Sequence, residues 1–128
     1  MRYAAGVDLL IHEVAIVRPE LISQPHIQRI MAHHTTAYEA GMVFSRTQPK
    51  LAAYSHLVFL ASLSVPAASL DDLVSETRRA YAGPLAVGED LMCFEINEAE
   101  VVGTRKSAKA FGIEISPALL ARADEVIE

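Results

Sequence analysis

Residues 34–56 read HTTAYEAGMVFSRTQPKLAAYSH, and this stretch decides the fold class. Thr36, followed by Glu39 three positions later, forms a capping box, which is the pattern that begins a helix. Apolar and small residues then recur at helical spacing on one face, at Ala37, Ala40, Gly41 and Phe44. Pro49 ends the helix, and a strand over residues 50–54 follows. A helix that runs directly into a buried strand indicates an α/β fold.

The sequence before this stretch predicts a strand and a long loop. Residues 7–11 are almost entirely apolar, and the run is short enough for a buried strand that ends at His12-Glu13. Residues 17–32 contain two prolines, so they are expected to form a long irregular loop that has room for one helical turn. A loop of that length in a compact domain is more often functional than idle.

The sequence after it predicts five further elements. An apolar loop reaches Pro66, and Ser69 with Asp72 then caps a second helix, which Gly83-Pro84 closes. The remaining elements are a strand at 85–87, a hairpin of 92–96 with 100–102 through Asn97-Glu98, and a last helix that opens at Ser116-Pro117. The order strand, helix, strand, helix, strand, strand, strand, helix predicts a mixed sheet with flanking helices.

Composition narrows the class of protein. The chain has 128 residues, of which 52% are hydrophobic and 21% charged, so it is one domain or less and can build a core. No apolar run is long enough to span a bilayer, and Asp8 interrupts any signal-peptide core, so we expect a cytoplasmic protein with no membrane partner. The net charge of −5 argues against a nucleic-acid partner. Cys93 is the single cysteine, which excludes an internal disulfide, and its apolar neighbours indicate a buried side chain.

Candidate functional residues are histidines at the predicted ends of strands and at a helix start. His12 and His56 follow predicted strands, and His34 precedes the capped helix. In α/β sheets these are the positions where loops bring side chains together. One histidine at such a place is more often a structural hydrogen-bonding group, and His12 and His33 are each explained by simple packing. His26 is a loop residue with no partner in view.

Taken together, three motifs resemble the tail of the metallo-β-lactamase superfamily. They are residues 8–13 (DLLIHE), residues 34–36 (HTT) at a helix start, and Ser55-His56 after the next strand. The ribonuclease Z-like branch has a strand ending in His-Glu, a His-Ser/Thr-Thr motif and a Thr/Ser-His in this order. The resemblance covers roughly residues 1–96 and implies the C-terminal half of an αβ/βα sandwich.

The resemblance implies roles for three residues. His56 matches the family's last zinc-ligand histidine, so the implied cofactor is zinc or another divalent metal. Glu13 and His34 match a Glu–His pair that relays a proton to the leaving group. A carboxylate beside an imidazole orients the imidazole's tautomer and favours its protonated form, which is the form that donates a proton.

The sequence also departs from the family. It contains no His-x-His-x-Asp-His and no Gly-Asp-Thr segment for the bridging aspartate, and Val14 stands where ribonuclease Z has Ala-Thr. The last of these differences argues against transfer-RNA processing. We therefore expect residues 1–128 to form a single incomplete domain, with the motifs in 1–96 and a hairpin and helix in 97–128.

Two functions remain open from the sequence. One is metal-dependent hydrolysis of a phosphodiester or ester, with the chain completed by an N-terminal half that bears the missing ligands. The other is a non-catalytic module, derived from the same fold, that binds a partner or oligomerises. In either case the chain is expected not to remain a monomer, because half of a sandwich presents an apolar face.

Overall fold

The structure is a computed structural model that describes residues 3–105, with side chains described as far as residue 103. Its elements are the strands β1 (Leu9–Val17), β2 (Leu51–Leu60), β3 (Leu85–Val87), β4 (Met92–Ile96) and β5 (Val101–Arg105), and the helices α1 (Pro25–Met31), α2 (Ala37–Thr47) and α3 (Leu70–Arg78). The last helix predicted from the sequence lies outside the described residues.

Three strands form a parallel sheet in the order β1-β2-β3. Parallel neighbours need a crossover, and α2 and α3 supply the two crossovers. β4 and β5 form a separate antiparallel pair with Met92 opposite Arg105 and Ile96 opposite Val101. The mixed α/β architecture predicted from the sequence is confirmed, including the hairpin at Asn97-Glu98.

The core lies between the parallel sheet and the two crossover helices. Side chains from β1, β2, α2, α3 and the residues that flank α3 form one buried cluster. It comprises Val14, Ile16, Ala37, Ala40, Phe44, Ala52, Tyr54, Ala68, Leu73 and Tyr81. Inside it, the Tyr54 hydroxyl lies 2.8 Å from the Thr77 hydroxyl, so both buried hydroxyls have a partner. This cluster fixes the helices against the strands that carry the candidate site.

Two of the three helix starts that the sequence predicted lie within the described residues, and both are confirmed. Thr36 Oγ1 accepts from the Glu39 N–H and the Glu39 carboxylate accepts from the Thr36 N–H. Ser69 and Asp72 form the same reciprocal pair at the start of α3. Each pair satisfies two backbone donors that a helix otherwise leaves open.

Several expectations were wrong in their bounds, among them β5, which runs over Val101–Arg105 and not over residues 100–102. β1 continues to Val17 and β2 to Leu60, so His12-Glu13 and Ser55-His56 lie inside strands and not at their ends. The region expected to be irregular contains a 3₁₀ turn at Pro19–Leu21 and the helix α1. Each of these begins with proline, which suits the first position of a helix because no N–H is needed there. None of the described helices is long and apolar enough to cross a membrane.

Candidate functional site

The site forms where the pairing of β1 with β2 is interrupted. His12 pairs with Tyr54 and Val14 pairs with Leu57, so one residue of β1, Glu13, faces two residues of β2. The extra residue makes a β-bulge, and His56 within it has a left-handed backbone with φ of 49°. Bulges re-aim side chains, and here the ring of His56 lies against that of His34, which in turn contacts the Glu13 carboxylate.

The Glu13 carboxylate is held through both of its oxygens. Oε2 lies 3.0 Å from Nδ1 of His34, and Oε1 accepts the backbone N–H of Thr35 at 2.7 Å. The His34 and Glu13 side chains are 20% and 32% exposed, so the pair is partly shielded but still reachable from solvent. With both oxygens engaged, Glu13 is placed to orient His34.

The segment that carries His34 is fixed by backbone contacts to its neighbours. The Ala15 N–H donates to the Thr35 carbonyl at 2.9 Å, and Ala15 and Thr36 form an isolated parallel bridge. Thr36 is also the N-cap of α2. Residues 34–36 therefore lie along the outer edge of β1, where the helix cap fixes their direction.

The imidazoles of His34 and His56 stack on each other. Their ring centroids are 5.6 Å apart and their planes are inclined by 29°. The structure therefore brings together all three residues that the sequence singled out, Glu13, His34 and His56. They meet at the bulge and not at the carboxyl ends of the strands.

The electrostatics favour an ionised Glu13. Partial burial raises the pKa of this carboxyl, but the hydrogen bonds from Thr35 and His34 lower it by more, and the net pKa lies below the ordinary value of 4.5. At neutral pH the carboxylate is charged and accepts from Nδ1–H of His34. That contact leaves Nε2 as the nitrogen of His34 that can take up or release a proton.

A cleft of about 460 Å³ borders His56. Its walls include Ile11 and Leu57 from the sheet and Met92 and Phe94 from β4, and residues 88–90 form the remaining side. Gly88 is required there, because its N–H donates to the Tyr54 carbonyl at 2.8 Å and any Cβ would overlap that same oxygen. This cleft can admit a small group beside the His56 imidazole.

The other histidines lie apart from this pair. His12 is half-buried, with its ring perpendicular to that of Phe44 at a centroid distance of 6.0 Å. His26 and His33 are exposed, the first on α1 and the second directly after it. Cys93 is half-buried in β4.

The residues present do not fit a complete metal site. Within residues 3–105, no group of three or more His, Cys, Asp or Glu side chains is placed to hold a metal ion. A catalytic zinc takes about three protein ligands. Of the candidate residues, His56 is exposed enough to contribute one, whereas Glu13 has both oxygens engaged.

Thr35 is the functional residue that the sequence did not single out. Its backbone N–H, and not its side chain, holds Glu13. Almost any residue type can supply a backbone N–H, so the sequence carries no specific signal for this contact. The only indication was the position of Thr35 in the His-Thr-Thr motif.

Comparison with solved structures finds proteins of similar fold. The chain superposes on the metallo-β-lactamase fold protein YhfI from Bacillus subtilis with a TM-score of 0.50 and 17% sequence identity. The likeness shows a shared fold. It covers 80% of this chain and 34% of that protein, so the chain spans about a third of the length of its neighbour. No protein-family model and no curated protein matches the sequence.

Proposed function

We propose that this chain is the C-terminal part of a metal-dependent hydrolase of the metallo-β-lactamase superfamily, of the ribonuclease Z-like branch, acting on a phosphodiester or ester. The observation that carries the proposal is the contact of Glu13 with His34 at 3.0 Å, next to the stacked ring of His56. The fold shared with YhfI supports it.

In this proposal, Glu13 and His34 act together in proton transfer. The Glu13 carboxylate accepts from Nδ1–H and stabilises the positive charge when the imidazole is protonated. The proton on Nε2 is then transferred to the oxygen of the leaving group as the bond to that group breaks, while Nδ1–H stays hydrogen-bonded to Glu13. Thr35 keeps the carboxylate in place during the transfer, because its N–H is fixed by the backbone of residues 34–36.

His56 is proposed as one ligand of a divalent metal, zinc in the usual case. The further ligands would come from a segment with the His-x-His-x-Asp-His motif and a bridging aspartate, in an N-terminal half of the same protein or on a complementing chain. The motif is absent from residues 1–128, and the shared fold covers only about a third of YhfI.

Reconstitution tests the proposal. An N-terminal half bearing His-x-His-x-Asp-His is added or fused, and bound zinc and hydrolysis of an aryl phosphodiester are measured. We expect both to appear, His56→Ala to abolish both, and His34→Ala to lower turnover while zinc stays bound. His33→Ala is the matched control, because His33 is exposed and lies next to His34 in the sequence. Equal losses in the His33 and His34 variants would contradict the proposal.

A second function is a binding module that has lost catalysis. Ile11 favours it, since its side chain is 52% exposed on the strand that carries Glu13. A contiguous apolar patch marks an interface, and Ile11 lines the same cleft as Leu57, Met92 and Phe94. In this case the chain self-associates or binds its partner normally after Glu13→Gln and His56→Ala, and the reconstituted protein shows no turnover.

A further inference from the structure

The backbone of Glu13 lies at the break in the sheet. Its neighbours His12 and Val14 both have partners across from them on β2, but Glu13 has none in the register. A residue without a fixed partner in the ladder is less restrained than the rest of its strand. Contacts outside the ladder therefore matter more for the backbone that carries the carboxylate than for its neighbours in the strand.

His12 makes the contact that can do this. Its Nδ1 lies 2.6 Å from the Glu13 carbonyl oxygen. A carbonyl oxygen only accepts hydrogen bonds, so Nδ1 carries the proton and is the donor. Glu13 is then held at two places, at its carbonyl by His12 and at its carboxylate by Thr35 and His34.

The His12 ring is itself held by the core. Phe44 of α2 is fully buried and lies perpendicular to the imidazole at 6.0 Å. The Phe44 ring packs against Tyr54 at 5.4 Å and Tyr81 at 5.5 Å. A path of contacts therefore runs from the centre of the core, through His12, to the backbone of Glu13.

We propose that His12 is a positioning residue, which fixes the backbone of Glu13 so that its carboxylate meets His34 and Thr35. What the Glu13–His34 pair does chemically rests on the proposed function, but the positioning itself does not. The competing view is that His12 only fills space beside Phe44, in which case any side chain of similar size serves equally well.

Three substitutions separate these views. In His12→Asn the amide nitrogen takes the place of Nδ1 and can still donate to the carbonyl. In His12→Gln the amide reaches further, to the place of Nε2, and His12→Leu fills the space without a donor. The readout is the pKa of the Glu13 carboxyl, followed by ¹³C NMR in the chain itself, which needs neither metal nor turnover.

We expect the Glu13 pKa to rise toward its ordinary value of 4.5 in the Leu and Gln variants and to stay depressed in the Asn variant. If the Leu variant fails to fold, the Asn and Gln variants alone decide the outcome, since both are polar and similar in size. A Glu13 pKa that is unchanged in all the folded variants, or that shifts equally in all of them, would overturn the proposal.

Turnover in the reconstituted enzyme provides a second readout. We expect His12→Leu to lower kcat on the order of ten-fold, as slight misplacement of a catalytic group does, with KM unchanged and with rescue by His12→Asn. The two proposals fail separately. Suppose that the Glu13 pKa is depressed only in the variants that keep a donor at the place of Nδ1, while the reconstituted protein shows no turnover. The hydrolase proposal is then refuted, and the positioning role of His12 stands.

Discussion

Replacing His56 by glycine should leave the fold more stable than replacing it by alanine. His56 has φ of 49°, in the left-handed region that costs a non-glycine residue roughly 1–2 kcal/mol. Alanine retains this cost, and glycine removes most of it, although its flexibility in the unfolded chain costs about 0.5–1 kcal/mol. The net difference in the free energy of unfolding should be about 1 kcal/mol in favour of glycine.

The stability of both variants relative to the native chain depends on the stacking of His56 on His34. Both substitutions lose the stacking of His56 on His34, which for an exposed ring is worth about 0.5 kcal/mol. We therefore expect His56→Gly to be about as stable as the native chain or slightly more stable, and His56→Ala to be less stable. If replacing His56 by glycine does not lower the free energy of unfolding, His56 is not needed for stability, and its presence points to a functional role.

Urea denaturation of the three proteins measures the difference. Gln48→Gly is the matched control, because Gln48 has φ of 50° at the end of α2, remote from any proposed chemistry, and should gain a similar amount. If Gln48→Gly is stabilising while His56→Gly is less stable than His56→Ala, the bulge does not strain His56, and the argument for its retention fails.

Further predictions concern the charge, the packing and the activity of the chain. Glu13→Gln should cost about 1 kcal/mol at pH 7, and the difference from the native chain should vanish at low pH. The pKa of Glu13 is depressed in the folded state, so the ionised carboxylate stabilises the fold fully above about pH 4.5. That stabilisation is lost as the pH falls through the folded-state pKa of Glu13. A stability difference that stays constant down to pH 2 in chemical denaturation would argue against this prediction. Gly88→Ala should destabilise by about 2 kcal/mol, because the new Cβ meets the backbone oxygen of Tyr54; calorimetry showing an unchanged melting temperature would contradict this. The 128-residue chain alone should bind zinc weakly and show no enzymatic turnover, because the ligand motif is absent from its sequence; tight stoichiometric zinc with turnover would refute the ligand assignment. Light scattering should show self-association at tens of micromolar (a rough range for such contacts), and a well-behaved monomer would count against an exposed apolar face as an interface.

Elements with local signals were predictable from the sequence. The two capping boxes, the end of α2 at Pro49 and the hairpin at residues 97–98 each depend on residues close together in the chain. The resemblance to three ordered motifs pointed to Glu13, His34 and His56, which the structure places together.

The bulge was not predictable, and it is the feature that places the site. Polar residues at His12-Glu13 and Ser55-His56 ended the apolar runs, so the strands were expected to stop there. In the structure both strands continue, and the extra residue in β2 reveals itself only when the two strands are paired. The register of two paired strands depends on both strands, so it cannot be predicted from either segment alone.

The bulge and its partners all lie within residues 9–60, in the single β1–α2–β2 unit. Such units tend to open and close as one cooperative piece, so the amide protons of Ala15, Thr35 and Leu57 should exchange with solvent at a common rate. The contacts that join Glu13, His34 and His56 lie within these 52 consecutive residues (60 − 9 + 1), whereas the core beneath them also takes in Leu73 and Tyr81, and β2 also pairs with β3. A gene fragment of that length would carry the arrangement only into a host that supplies apolar cover for α2 and a neighbouring strand for β2.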